Sequence, residues 1–324
     1  MDNALVIGVI LGLALLLVGL KNKDKWGQET KWADYPPRLK KIKFIVAGGL
    51  TILLLAAITY FMLVRGGSLL ASEAVQPARL VRVLSYNIHH GEGTDGRIDL
   101  ERIAQVIANT RPDLVALQEV DRNVERSGGV DQAAELARLT GLRMEFGQTI
   151  PLQGGQYGNA VLSRWPIRRV SNHSLPSPAG GEARAVLVAQ IAVPAGDDGE
   201  AITLLATHFH HTQDPMNRVA SAEALEKMFP ADPGGAESVP MLLVGDLNAT
   251  PESRPIALLQ KLWSMADGSR LAPTSPASAP RRKIDYVMYR PGGRWRVVES
   301  RVVEEMVASD HRPLLAVLEL ARRY

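Results

Sequence analysis

From residue 79 to the end, short runs of alternating apolar and polar residues are interleaved with stretches whose apolar positions recur every third or fourth residue. The first spacing is that of a strand with one buried face, the second that of a helix with one buried stripe. Strands are expected at 80–88, 113–120, 157–163, 183–193, 201–207, 241–244, 284–289, 295–303 and 314–320. A helix is expected at 100–109, where Leu100, Ile103, Ala104 and Ile107 share a face and Asp99 stands at the N-cap. Others are expected at 133–139, stopped by Gly141, at 216–229, and at 251–262 with Pro251 at its start. Strands outnumber helices and come in clusters. That points to two packed sheets with helices outside rather than one doubly wound parallel sheet. Residues 273–280 (PTSPASAP) have the composition of a mobile, low-complexity loop.

Residues 1–64 follow another pattern. Segments 4–20 and 44–64 hold no charge, and the second is interrupted only by Thr51, Thr59 and Tyr60. A helix needs about 20 apolar residues to cross roughly 30 Å of hydrocarbon, so both segments are expected to span a bilayer. The first is also short enough for a signal-peptide core. No positive residue precedes it, however, and a lysine-rich loop rather than a small-x-small cleavage site follows. Loop 21–43 carries eight Lys or Arg residues, against Asp2 before the first span and Arg65 after the second. The positive-inside rule places that loop in the cytoplasm and the rest of the chain outside it, in the periplasm if the source is Gram-negative. Residues 65–78 are small, polar and Pro-containing, as in a linker, which leaves 79–324 as the globular domain.

Composition narrows the chemistry. The 324 residues are 46% hydrophobic and 22% charged, which excludes disorder and coiled coil, and they include no cysteine. Disulfides, thiolate zinc sites, iron–sulfur clusters and a cysteine nucleophile are therefore excluded. The net charge of +3 is local: nine of the 37 basic and five of the 34 acidic residues precede residue 79, leaving 28 against 29 in the globular part. Such a domain lacks the bulk positive field of a general nucleic-acid binder.

Five predicted strands run into polar clusters: SYNIH from Ser85, LQEVD from Leu117, ATHFHH from Ala206, VGDLN from Val244 and ASDH from Ala308. Two more, YGNA from Tyr157 and KIDY from Lys283, carry one such residue inside the strand. Rigid strands that deliver carboxylates, amides and imidazoles to one rim are how an α/β scaffold builds a site. Hard oxygen donors suit Mg²⁺ or Mn²⁺, and histidines beside carboxylates allow acid–base chemistry near neutral pH.

In order and spacing, SYNIHHG, LQEVD, YGNAVLSR, ATHFHHT, GDLNATP, KIDYVM and SDHRP resemble the endonuclease/exonuclease/phosphatase superfamily. These are Mg²⁺-dependent phosphoesterases that include DNase I-like nucleases, abasic-site endonucleases, neutral sphingomyelinases and inositol-polyphosphate 5-phosphatases. The resemblance covers about residues 79–320 and implies a four-layer α/β sandwich, two face-to-face sheets flanked by helices. It also implies roles. Glu119 matches the metal-binding glutamate, and Asn87 and Asp310 match residues that complete or flank the metal site. His311 matches the histidine often assigned as general base, and Asp285 the carboxylate that orients it. Asp246 and Asn248 match the pair that positions the water and binds the phosphate. His208 matches the histidine that donates to a phosphate oxygen or protonates the leaving group. Asn159 matches an asparagine that shapes the phosphate pocket, and His211 joins it as a substrate-binding residue.

The expected activity is that of a Mg²⁺-dependent phosphoesterase tethered to the lipid bilayer, acting outside the cytoplasm on a lipid headgroup or small phosphodiester. An extracytoplasmic nuclease of the same chemistry is the alternative. An inactive binding module on the same scaffold would need lost catalytic residues, and none is lost. His89 and His90 face solvent, support the site or contact phosphate. His210 is expected at the surface and His173 in a loop. Arg218 either approaches a phosphate or is an ordinary solvated or ion-paired arginine. Arg164, Arg168, Arg169 and the 281–283 cluster are expected on solvated faces, with phosphate binding as the alternative.

Overall fold

The computed structural model describes residues 79–194, 200–231, 239–267 and 272–321, together with 36–38 and 49. Apart from those last four positions, the spans expected at 4–20 and 44–64, loop 21–43 and linker 65–78 lie outside the described residues. Among the described residues no helix is long and apolar enough to cross a membrane. The chain divides into two units, Met1–Gln76 and Pro77–Tyr324, and the architecture below belongs to the second.

Among its described residues that unit has twelve strands: β1 (Arg79–Asn87), β2 (Leu114–Arg122), β3 (Arg143–Leu152), β4 (Gly155–Ser163), β5 (Ile167–Leu175), β6 (Arg184–Val193), β7 (Glu200–His208), β8 (Met241–Asp246), β9 (Ser264–Met265), β10 (Asp285–Arg290), β11 (Trp295–Val302) and β12 (Leu314–Leu320). The helices are α1 (Leu100–Thr110), α2 (Gln132–Thr140), α3 (Met216–Met228) and α4 (Arg254–Leu259). One mixed sheet has the order β11-β12-β1-β2-β4-β3, the other β5-β6-β7-β8-β10-β9. Side chains alternate between the faces of a strand, and in the central strands both faces are buried. Val81 and Val83 of β1, Leu114 and Ala116 of β2, Leu204 and Ala206 of β7, Leu242 and Val244 of β8, and Val287 of β10 meet between the sheets. Leu84, Tyr86, Val115 and Leu117 face the other way, onto α1 and α2. Leu205, Leu243, Tyr286 and Met288 do the same toward α3 and α4. The result is the expected four-layer sandwich.

The helices on the first sheet start and stop as their sequences dictate. Asp99 caps α1 by accepting from Arg102 N at 2.8 Å, and Gly141 ends α2 at φ 71°. Strands β3 and β5 were not expected. Each lies at an edge of its sheet, and β5 is mostly exposed, so neither carries a clean alternation. His173 therefore sits on β5, not in a loop. Helix α4 occupies only six residues of the longer helix expected. Segment 273–280 is held rather than mobile. Thr274, Ser275 and Ala277 are buried, and Ala277 N donates to Asp310 O at 2.7 Å.

Candidate active site

The alternation that builds the inter-sheet core also places the polar residues at its rim. Asn87, Asn159, His208, Asp246 and Asp285 each continue the inward-facing set of their strand. Parallel pairing of β7 with β8 sets His208 beside Asp246, and antiparallel pairing of β8 with β10 sets Asp285 on its other side. Neighbouring strands lie about 4.8 Å apart, so register alone assembles a row of one imidazole and two carboxylates. His311, from the loop before β12, completes it. Its Nδ1 donates to Asp285 Oδ2 at 2.9 Å, and its Nε2 lies 3.7 Å from Asp246 Oδ2, where His208 Nε2 also approaches to 3.5 Å.

Glu119 requires a break in the pattern. By alternation it would follow Leu117 toward the helices. A bulge between Leu117 and Val120 leaves Glu119 at φ 57° and returns Val120 to the helix side. The bulge re-aims the carboxylate toward the cleft. There Asn87 Nδ2 bridges the sheets, donating to Glu119 Oε1 at 2.9 Å and Asp246 Oδ2 at 3.2 Å. Ser309 Oγ donates to Asn87 O at 2.7 Å, which ties the loop carrying Asp310 and His311 to β1. Asn248, at φ 47°, donates its backbone N–H to Asp246 Oδ1 at 2.9 Å and places Nδ2 3.0 Å from His208 Nε2.

Burial and charge separate the titrations. Burial, reinforced by Asp285, pushes the Asp246 carboxyl up to about 7. Burial alone would lower His311, but the carboxylates of Asp285 and Asp246 outweigh it and push the imidazole up to about 10. His208 is held well below the usual histidine value by burial, with the Arg184 guanidinium adding to it. At neutral pH the site therefore holds one charged and one neutral imidazole around a carboxyl poised near its midpoint.

These groups line a cleft of about 360 Å³. Of the ten residues singled out above, Glu119, His208, His211, Asp246, Asn248, Asp310 and His311 line it. Asn87 and Asp285 stand behind, bonded to residues that do. Asn159 is buried opposite the Glu119 bulge, donates Nδ2 to Ala185 O at 3.1 Å, and does not line the cleft. Three expectations are corrected. His210 is buried, because Arg218 folds the loop after β7 inward: Arg218 Nη1 donates to His210 O at 2.9 Å and to Thr212 O. Those carbonyls engage Arg218 away from the cleft, so it is neither solvated nor at a phosphate position. Lys283 is likewise not on a solvated face; it is buried with Nζ 2.5 Å from Asp267 Oδ2.

Two residues escaped notice. Arg184, only 4% exposed, enters the cleft at the start of β6 and sets Nη1 3.4 Å from His208 Nδ1 and Nη2 3.5 Å from His211 Nδ1. Its Nε is buried without a partner. Thr274 Oγ1 donates to Asp285 Oδ2 at 2.5 Å from the segment that looked mobile. The Glu182–Arg184 pair ahead of an apolar strand was the visible hint for the first; nothing local marks the second.

Glu119, Asp246 and Asp310 offer the cleft a hard-oxygen donor set. A carboxyl pushed up to about 7 by burial, with a second carboxylate adding to it, is an environment that a cation relieves. The donors thus fit a divalent metal such as Mg²⁺ or Mn²⁺.

Comparison with known proteins agrees with the geometry. An uncharacterised protein of Escherichia coli (strain K12), YbhP, is 29% identical over 254 residues, spanning 74% of this chain and 96% of its own. The crystal structure of an endonuclease/exonuclease/phosphatase from Beutenbergia cavernae superposes with a TM-score of 0.63 at 28% identity, covering 75% of this chain and 72% of that one. A mannosyl-6-phosphatase of Bacteroides thetaiotaomicron shares the fold at 18% identity, with a TM-score of 0.59 over 74% of this chain and 99% of its own. Residues 84–311, well over half of the chain, match the sequence profile of the Endonuclease/Exonuclease/phosphatase family, and the chain belongs to that family.

Proposed function

We propose that this protein is a divalent-metal-dependent hydrolase of phosphate esters, tethered to the membrane by residues 1–64 with its catalytic domain outside the cytoplasm. The observation that carries the chemistry is the row His208, Asp246, Asp285 on one sheet, facing Asn87 and the bulged Glu119 on the other. Groups whose environments push their titrations apart divide the work of acid and base. Asp246 takes the proton of the attacking water as its oxygen bonds to phosphorus. His311, kept cationic by Asp285, delivers a proton to the departing ester oxygen as the phosphorus–oxygen bond breaks. Neutral His208 and the Asn248 amide hold a phosphoryl oxygen. Arg184 and His211 bind the anionic substrate at the cleft wall. A divalent cation held by Glu119 and Asp310, with Asn87 behind, would neutralise charge growing on the phosphoryl oxygens. The rest is positioning, which suits phosphoryl transfer.

The near-neutral globular part and the lysine-rich loop between two apolar segments favour a lipid headgroup or small phosphodiester. The test is a panel of sphingomyelin, inositol phosphates, bis-p-nitrophenyl phosphate, plasmid DNA and RNA, with Mg²⁺, Mn²⁺ or chelator. Metal-dependent turnover of the small esters supports the proposal. Turnover of nucleic acid alone would make the protein a nuclease of the same mechanism, and no turnover of any ester would refute it. Alkaline phosphatase fused after Tyr324 should be active if the domain lies outside; cytoplasmic fluorescence from a fluorescent-protein fusion at the same point would reverse the topology.

A further inference from the structure

Beside the row just described, the turn after β1 carries two histidines that the proposed hydrolysis does not use. His89 and His90 both adopt left-handed backbone, at φ 46° and 42°, and Glu119 does so at φ 57°. Strained residues gathered at one place are worth a functional hypothesis. The turn is built to hold them. His89 N donates to Asn87 Oδ1 at 3.0 Å, and buried Gln132 donates to His90 O at 2.7 Å while accepting from Asp121 N at 2.9 Å. Gly91 follows at φ 84°, where a Cβ would meet Gln132 at 3.0 Å. One nitrogen of each imidazole and one Glu119 carboxylate oxygen lie within 4.8 Å of one another. Glu92 supplies the outer contacts. His89 Nδ1 lies 3.1 Å from Glu92 O, and His90 Nε2 lies 3.3 Å from Glu92 Oε2. An imidazole that donates one N–H to an oxygen presents its other nitrogen as a lone pair, the usual arrangement of a metal-bound histidine. His90 Nδ1 is buried and has no partner. The neighbouring Arg126 guanidinium is committed to Asp121 through bonds of 2.8 and 2.9 Å.

We propose that His89, His90 and Glu119 form a second cation site, selective for a borderline metal such as Zn²⁺ or Co²⁺ over Mg²⁺. Two imidazoles and one carboxylate suit such ions, whereas Mg²⁺ prefers oxygen donors. Glu119 belongs to both sites, so a metal held by the histidines draws that carboxylate away from the hydrolytic cation. The site does not depend on the hydrolytic proposal: it binds metal whether or not any ester is cleaved. The full-length, metal-free chain is titrated with Co²⁺ in the presence of excess Mg²⁺, and the visible d–d absorption of the bound ion is followed. One Co²⁺ per chain is expected, displaced by Zn²⁺. H89N and H90N should each weaken binding by more than about 100-fold, and Glu92→Ala, which removes only an outer contact, by about 10–100-fold. Asparagine tolerates the left-handed backbone, so both variants should fold, as circular dichroism checks. H311N should leave the band unchanged. A wild-type chain that shows no Co²⁺ band in Mg²⁺ overturns the proposal by itself. A band that survives in H89N and H90N but vanishes in H311N overturns it as well, by placing the ion at Asp246, Asp285 and His311.

Discussion

Asp285→Asn isolates what the buried charge behind His311 does. The substitution keeps shape, and the amide oxygen can still accept from His311 Nδ1 and Thr274 Oγ1, which lie 2.9 and 2.5 Å from Asp285 Oδ2. What disappears is the negative charge that, with Asp246, holds His311 up to about 10 against burial. Returning the imidazole to its ordinary value near 6.5 would remove at most about 5 kcal/mol, at roughly 1.4 kcal/mol per tenfold change in proton affinity. Asp246 supplies part of the field, so about 3 kcal/mol is the better figure, within the range for breaking a buried ion pair. The sign is fixed by linkage. A folded-state value above the unfolded one contributes stability that is full below about pH 6.5 and is lost as pH rises through about 10. The metal-free variant should therefore melt roughly 6–12 °C below wild type near pH 6, with the gap closing toward pH 10. Activity should show the same charge. With saturating metal, the alkaline limb of kcat should move to lower pH, so the loss of about 10–100-fold near pH 8 is largely recovered near pH 6. Melting curves and kcat on bis-p-nitrophenyl phosphate across pH make the measurement. An unmoved alkaline limb, or a melting gap that does not change with pH, refutes the role given to Asp285.

Glu119→Gln should lower Mg²⁺ affinity and be partly rescued by excess metal, whereas His311→Ala should lose about 10²–10⁴-fold in kcat with no metal rescue. Activity against Mg²⁺ concentration separates the two, and the opposite pattern reverses the assignments. Thr274→Val removes a buried donor to Asp285 and should cost about 1–3 kcal/mol by chemical denaturation, while shifting the alkaline limb less than Asp285→Asn does. Arg184→Ala should raise KM for anionic esters by about 10–150-fold with a smaller effect on kcat, the worth of a charge-assisted hydrogen bond; a kcat defect alone would remove Arg184 from substrate binding.

The strands with two buried faces were legible in the sequence because side-chain direction along a strand has a period of two. That period alone puts Asn87, His208, Asp246 and Asp285 on the same face as the core valines and leucines of their strands. Helix α1 was legible because its cap and its apolar stripe are both local. The exposed edges β3 and β5 were not, since a strand with little buried surface has little pattern to show. Which strand lies beside which is a non-local matter, and only the folded sheets bring His208 and Asp285 to either side of Asp246, from positions 208 and 285. The tertiary structure also decided Glu119, whose bulge reverses the direction that alternation assigns to it. It likewise decided Thr274, which a low-complexity composition disguised, and Arg184, whose meaning comes from the two histidines it meets rather than from its own neighbours in the chain. Composition and period fix which residues face inward; the partners they meet there, and hence their charge states, are set by contacts between strands far apart in sequence.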